Sequence, residues 1–105
     1  MAYERKGPAG WAVHPGEILR AEFLEPLRMT PYALAKALRV PVPRVNDIVL
    51  EKRGISPDTA MRLGHYFGMS AEFWMNLQTS YDLAVTRKQV SRELSKIKPL
   101  ELAGD

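Results

Sequence analysis

Arg44, Asn46 and Asp47 stand close together in the chain, beside Pro43. Their side-chain ends are the ones that read base edges. Arginine donates two parallel hydrogen bonds to O6 and N7 of guanine, asparagine pairs with adenine, and a carboxylate accepts from the amino group of cytosine. Each has a plainer use. Arg44 could meet a phosphate, or pair with Asp47 three residues on. Asn46 flanks the outer face, and Asp47, awkward beside phosphates, either orients Arg44 or accepts from cytosine. Around them Thr30, Lys36, Arg39, Lys52 and Arg53 suit phosphate contacts, which position a protein on a duplex without reading its sequence. Thr30 stands at a helix start, where anions are favoured. Each of the four cations taken alone could equally be solvated surface charge.

Charge distribution agrees with an anionic partner. Arg28, Lys36, Arg39, Arg44, Lys52 and Arg53 face only Asp47 and Glu51 between positions 28 and 53, a local excess of +4 against +3 for all 105 residues. The remainder of the chain is close to neutral. A basic segment of this kind points to nucleic acid before other partners.

Other chemistries are excluded or unsupported. With no cysteine, thiol catalysis, iron–sulfur clusters and thiolate zinc sites are ruled out. His14 and His65 lack metal-ligand spacing, so no metal or other cofactor is expected. No nucleophile lies beside a base, nor is there a phosphate-cradling glycine loop, and a non-enzymatic protein is expected. The longest apolar stretches fall far short of the ~20 residues of a membrane span. Residues 1–13 carry no apolar run of a secretory signal. The cytoplasm is the expected compartment, with no membrane partner. One small domain accounts for the length.

The elements that must position these residues are helices. No segment alternates apolar and polar for long enough to form a sheet, so the fold is expected to be all-α. Residues 1–13, with Gly7, Pro8 and Gly10, read as a flexible arm. A first helix starts near Pro15, with Leu19, Phe23 and Leu27 as its apolar face, and Pro26 should end or kink it. Thr30 and Pro31 are an N-cap and first-turn proline; Leu34, Ala35 and Leu38 then form a buried stripe over about two turns. Arg39 and Val40 turn into a third helix over 42–49, with Val45, Ile48 and Val49 on one side and Pro43 and Asp47 opposite. Ser56 and Pro57 repeat the helix-start signal, Ala60, Leu63, Gly64 and Phe67 fall at helical spacing, and Gly68 is a stop. Ser70 opens a fifth helix bearing Phe73, Trp74, Leu77, Tyr81 and Ala84. Val90, Leu94 and Ile97 continue a weaker period until Pro99, and the last residues should fray. The domain is expected over 14–85, with 86–105 a helical extension and frayed tail.

Two short helices joined by a tight turn inside a five-helix domain make a helix-turn-helix arrangement. The first braces the second, and the second buries one face and offers the other to a major groove. Helix pairs of this spacing also occur in proteins that bind no DNA.

The segments HPGEILRAEFLEPL (14–27), YALAKALRVPVPRVNDIV (32–49) and KRGISPDTAMRLGHYFGMSAEFWMNLQTSYDL (52–83) resemble the HigA antitoxins, helix-turn-helix proteins of the wider Xre and phage-repressor class. HPGEIL, ISPDTAMRL and SAEFWMNLQ are the most specific parts, and the resemblance spans about two thirds of the chain. It implies a compact lambda-repressor-like domain, a homodimer that binds and represses an operator in its own promoter. It also implies a partner: a HigB-like toxin, a small ribosome-associated mRNA endonuclease. The 42–49 helix would be the recognition helix. One departure is Arg39, where the family's turn often has glycine; an arginine tolerates the left-handed conformation less well. Competing readings are a transcriptional regulator with no toxin and a helix-turn-helix protein-interaction module.

For the toxin, the surfaces left free by DNA are the arm and the outer face of the first helix. Trp11 and Val13 would give apolar contact, and Glu17, Glu22 and Glu25 a negative face for a basic partner. Trp11 could instead fold back on the first helix. Phe73, Trp74, Leu77 and Tyr81 are candidates for a dimer seam, with plain core filling as the alternative.

Overall fold

The computed structural model describes residues 12–101, and Trp11 therefore lies outside the described residues. Among the described residues there are five helices and no strand: α1 over 15–27, α2 (Pro31–Leu38), α3 (Val42–Val49), α4 (Pro57–Phe67) and α5 (Ala71–Leu94). Four of them start on a side chain that accepts a hydrogen bond from an orphan amide of the first turn. His14 Nδ1 accepts from Gly16, Thr30 from Ala33, Ser56 from Thr59 and Ser70 from Phe73. Proline occupies the first helical position in α1, α2 and α4, where its missing amide costs nothing.

Helix α1 departs from the expected register. It is α-helical at Pro15–Ile18, widens to a π-helix at Leu19–Leu24 and returns to α at Glu25–Leu27. The Glu25 amide donates to the Arg20 carbonyl, five residues back. In a regular turn the Pro26 ring would press on the Glu22 carbonyl; the widened turn carries the helix past that point, where a break or kink was expected. It also adds a residue to the period. The core position following Leu19 is therefore Leu24, 3% exposed, while Phe23 is half-buried and Leu27 is 58% exposed.

The other buried stripes fall where the 3.6-residue period puts them: Leu34, Ala35 and Leu38 on α2, Val45, Ile48 and Val49 on α3, and Ala60, Leu63 and Gly64 on α4. Helix α2 packs on α3 and α4, α4 on α5, and α1 against both α3 and α5. Trp74 sits at the centre with no exposed surface, its ring 5.1 Å from those of Phe23 and Phe73. It fills the core of its own chain and has nothing to offer a dimer seam. Helix α5 is continuous to Leu94, so the expected boundary at 85 falls inside a single helix. Its far half leaves Leu83 and Leu94 about half exposed. No helix among the described residues is long and apolar enough to cross a membrane.

Candidate nucleic-acid interface

Helices α2 and α3 and the turn between them form the expected pair. Arg39 closes α2 in the left-handed region, φ 61° and ψ 45°, and its amide reaches the Ala35 and Lys36 carbonyls. An arginine there lacks the freedom of glycine, and a second arginine supports the turn from outside. Arg62 on α4 donates from Nη1 to the Leu38 carbonyl at 2.8 Å and, more weakly, to the Arg39 carbonyl at 3.5 Å.

Helix α3 buries Val45, Ile48 and Val49 and turns Pro43 and Asn46 outward, with Arg44 and Asp47 half-buried at the edges. Its C-terminal end is held from α1: Arg20 donates to the Val49 carbonyl and pairs with Glu51 at 3.4 Å. Arg44 does not pair with Asp47. Its Nη1 donates to Asp58 Oδ2 at 2.6 Å, across the cleft between α3 and the first turn of α4. The same oxygen accepts from Arg62 Nε at 3.0 Å. The Arg62 hydrogen bond, with Arg44 adding to it, holds the Asp58 carboxyl below the ordinary carboxylate range. Asp47 is matched instead with Arg53 at 3.7 Å.

The structure brings Arg44, Arg53 and Arg62 to one open cleft, which Ser56, Asp58 and Thr59 also line. Lys52 and Arg53 are exposed on the loop that follows α3. Thr30, at the start of α2, is exposed and already used as a cap. Lys36 lies over the Tyr32 ring, 5.8 Å from its centroid, and Arg39 is exposed. Asp58 and Arg62 were not among the residues expected here. The only signal for them in the sequence is an acid–base pair four residues apart on one helix.

The surfaces expected to meet a protein partner differ more from expectation. Glu17 is 8% exposed, and its Oε2 has no hydrogen-bond partner. Burial, and then the charge of Glu51, raise its carboxyl above the ordinary range. It is not part of an outward negative face, because the first turn of α1 is wedged between α3 and α5 and buries Pro15, Gly16 and Glu17 together. Glu25 is exposed. Glu22 edges an apolar groove of about 340 Å³ formed by Ile18, Phe23, Phe73 and Leu77. One groove thus gathers a residue expected to meet the toxin and two expected in the dimer seam. Val13 and Tyr81 are half-buried, and the Tyr81 ring meets His14 edge-on at 4.8 Å. His14 is itself buried as a cap, and burial lowers its imidazole below the ordinary value. Among the described residues no three His, Asp or Glu side chains converge as metal ligands would.

No protein-family model matches the chain. Individual proteins do. It is 52% identical over 89 residues to virulence-associated protein I of Dichelobacter nodosus, covering 85% of this chain and 82% of that one. It is 36% identical over 88 residues to antitoxin HigA-1 of Vibrio cholerae, covering 84% and 83%. The fold superposes on Pseudomonas aeruginosa antitoxin HigA, solved with the higBA promoter, with a TM-score of 0.82 and 54% identity over 85% of this chain and 98% of that one.

Proposed function

The chain belongs to the HigA antitoxin family, and on that premise we propose that it is a DNA-binding antitoxin and autorepressor that also neutralises a HigB-like mRNA endonuclease toxin. The observation that carries the DNA reading is α3 itself, with a buried apolar stripe beneath an outer face of Pro43, Arg44, Asn46 and Asp47. In this reading Arg44 and Asn46 meet base edges. Thr30, Lys36, Arg39, Lys52 and Arg53 meet phosphates. The solved relative bound to a promoter supports it.

The protein works as a homodimer in the cytoplasm and performs no catalysis of its own. A two-fold dimer presents one recognition helix to each of two major grooves about one DNA turn, ~10 bp, or a multiple of it apart. Phe73, Leu77 and Tyr81 are the dimer candidates left once Trp74 is assigned to the core. Trp11, Val13 and Glu22 remain the toxin-facing candidates.

Footprinting on the gene's own promoter tests the DNA reading. A protected palindrome is expected, and its absence overturns the autorepressor. Co-purification with the product of the neighbouring gene tests the antitoxin. A small basic partner is expected, and a chain recovered alone favours a regulator without a toxin.

A further inference from the structure

We propose that Asp58 is a positioning residue for base reading: from the first turn of α4 its carboxylate fixes the Arg44 guanidinium at the start of α3 and so sharpens the choice of operator over other DNA. The inference rests on the reading of α3 as the recognition helix.

The arrangement is a relay across three helices. Arg62 is tied to the Leu38 carbonyl at the end of α2 and to Asp58 Oδ2 on its own helix. That oxygen in turn holds Arg44 Nη1 at 2.6 Å. The position of Arg44 is thereby referred to the helix that braces α3. Stability is a poor explanation for such a pair. Asp58 is 55% exposed and Arg44 31%, and ion pairs at that exposure contribute little to folding.

Recognition explains it better. An unrestrained arginine has to be ordered when DNA binds, and ordering one long side chain costs roughly 0.5–1.5 kcal/mol, or about two- to tenfold in affinity. A side chain ordered beforehand avoids that cost. The bond to Asp58 engages Nη1 alone. A guanidinium carries five donors, so the Nη2 and Nε edge keeps the fork that guanine accepts.

Asp58 also places a negative charge beside a surface meant for phosphates, which repels every duplex alike. Its two effects therefore act on different quantities, which makes the role separable from a structural one. Removing the carboxylate relieves a general repulsion and loses a specific restraint.

The test measures binding of the full chain to its promoter duplex and to a random duplex of equal length, at one salt concentration, with thermal melts alongside. In Asp58→Ala the operator-to-random ratio should fall roughly two- to tenfold, while affinity for random DNA holds or rises. Asp58→Asn, a milder change, should move the ratio the same way. In an Arg44→Ala background Asp58→Ala should leave the ratio unchanged, because nothing remains to be positioned. Equal losses on both duplexes assign Asp58 a structural role and overturn the proposal. A rise on both with the ratio kept shows that Asp58 competes with DNA for Arg44, and overturns it too. A wild type that prefers no operator overturns the DNA reading and this inference with it. A discriminating wild type whose ratio survives Asp58→Ala overturns this inference alone.

Discussion

Gly16 on α1 abuts the main-chain carbonyl of Ile48 on α3 so closely that a Cβ at position 16 would collide with that oxygen. The first turn of α1 therefore seats on the backbone of α3, and the atom in the way cannot swing aside as a side chain would. Gly16→Ala should force the two helices apart. Overpacking of this kind costs about 1–3 kcal/mol, and each kcal/mol lowers the melting temperature of a domain this size by about 4–8 °C. Operator binding should weaken with it, since α3 is the helix proposed to read the bases. A variant that melts with the wild type would show that the contact is loose.

The parts of this arrangement that were legible in the sequence are those decided within a few residues. Thr30 with Pro31 and Ser56 with Pro57 announce their helices because a cap and a first-turn proline act on adjacent amides. The stripes of α2, α3 and α4 follow from one fixed period. Where that period changes, the pattern shifts: the π turn over Leu19–Leu24 puts Leu24 in the core and leaves the expected Leu27 exposed, while Phe23 still packs against that core. Glu17 was misplaced because its burial depends on α3 and α5 closing over it. The contact between Asp58 and Arg44 is hidden for the same kind of reason, the two residues being fourteen positions apart on different helices.

Glu17 gives a pH dependence of stability with a definite sign. Its folded carboxyl sits above the ordinary range, chiefly by burial and then through Glu51, with Arg20 opposing. The native state therefore holds that proton more tightly than the unfolded chain does. Its contribution is full below the ordinary carboxylate range and is lost as pH rises through the folded value. His14 runs the other way: lowered by burial, it contributes above the ordinary imidazole value and loses that contribution as pH falls. Glu17→Gln should gain on the wild type as pH rises from about 4 to about 7, seen as diverging melting temperatures. Parallel curves would show that Glu17 titrates alike in both states.

Trp74 separates core from interface. As a fully enclosed ring, its replacement by alanine should cost about 3–5 kcal/mol, read as a drop in denaturant midpoint from the wild type that is the same at every protein concentration. Trp74→Phe should lose much less, because the indole Nε1 has no hydrogen-bond partner and its removal relieves a buried, unpaired donor. A drop for Trp74→Ala that shrinks towards zero as protein concentration rises would return the residue to the dimer seam.

Arg44 and the loop cations should fail differently. Arg44→Ala is expected to cost about 1–3 kcal/mol at the operator and to relax preference at one base position per half-site. Lys52→Ala should weaken binding to every sequence and reduce the salt slope by about one unit. Arg53→Ala should do the same and somewhat more, because it also leaves Asp47 without its partner. Titrations on operator and random duplexes at several salt concentrations check all three. An Arg44→Ala variant equally weakened on both duplexes would reduce Arg44 to a phosphate contact.

The groove between α1 and α5 offers a single place where toxin capture and dimer formation can be told apart. Phe73 and Leu77 give it apolar walls and Glu22 a negative edge. A toxin that handles messenger RNA carries a basic face, and a carboxylate at the edge of its docking site speeds encounter more than it tightens the final complex. Glu22→Lys should therefore slow association with the toxin about tenfold at low salt, and the difference should shrink as salt screens it. Operator binding should be untouched, because Glu22 borders a groove lined by α1 and α5 and by no residue of α3, the helix proposed to read the bases. Stopped-flow association and a promoter titration on the same preparation read the two activities separately. If toxin association is unchanged while the free protein shifts to monomer in sedimentation, the groove belongs to the second copy of this chain, and the toxin contact must be sought toward Val13 and Trp11.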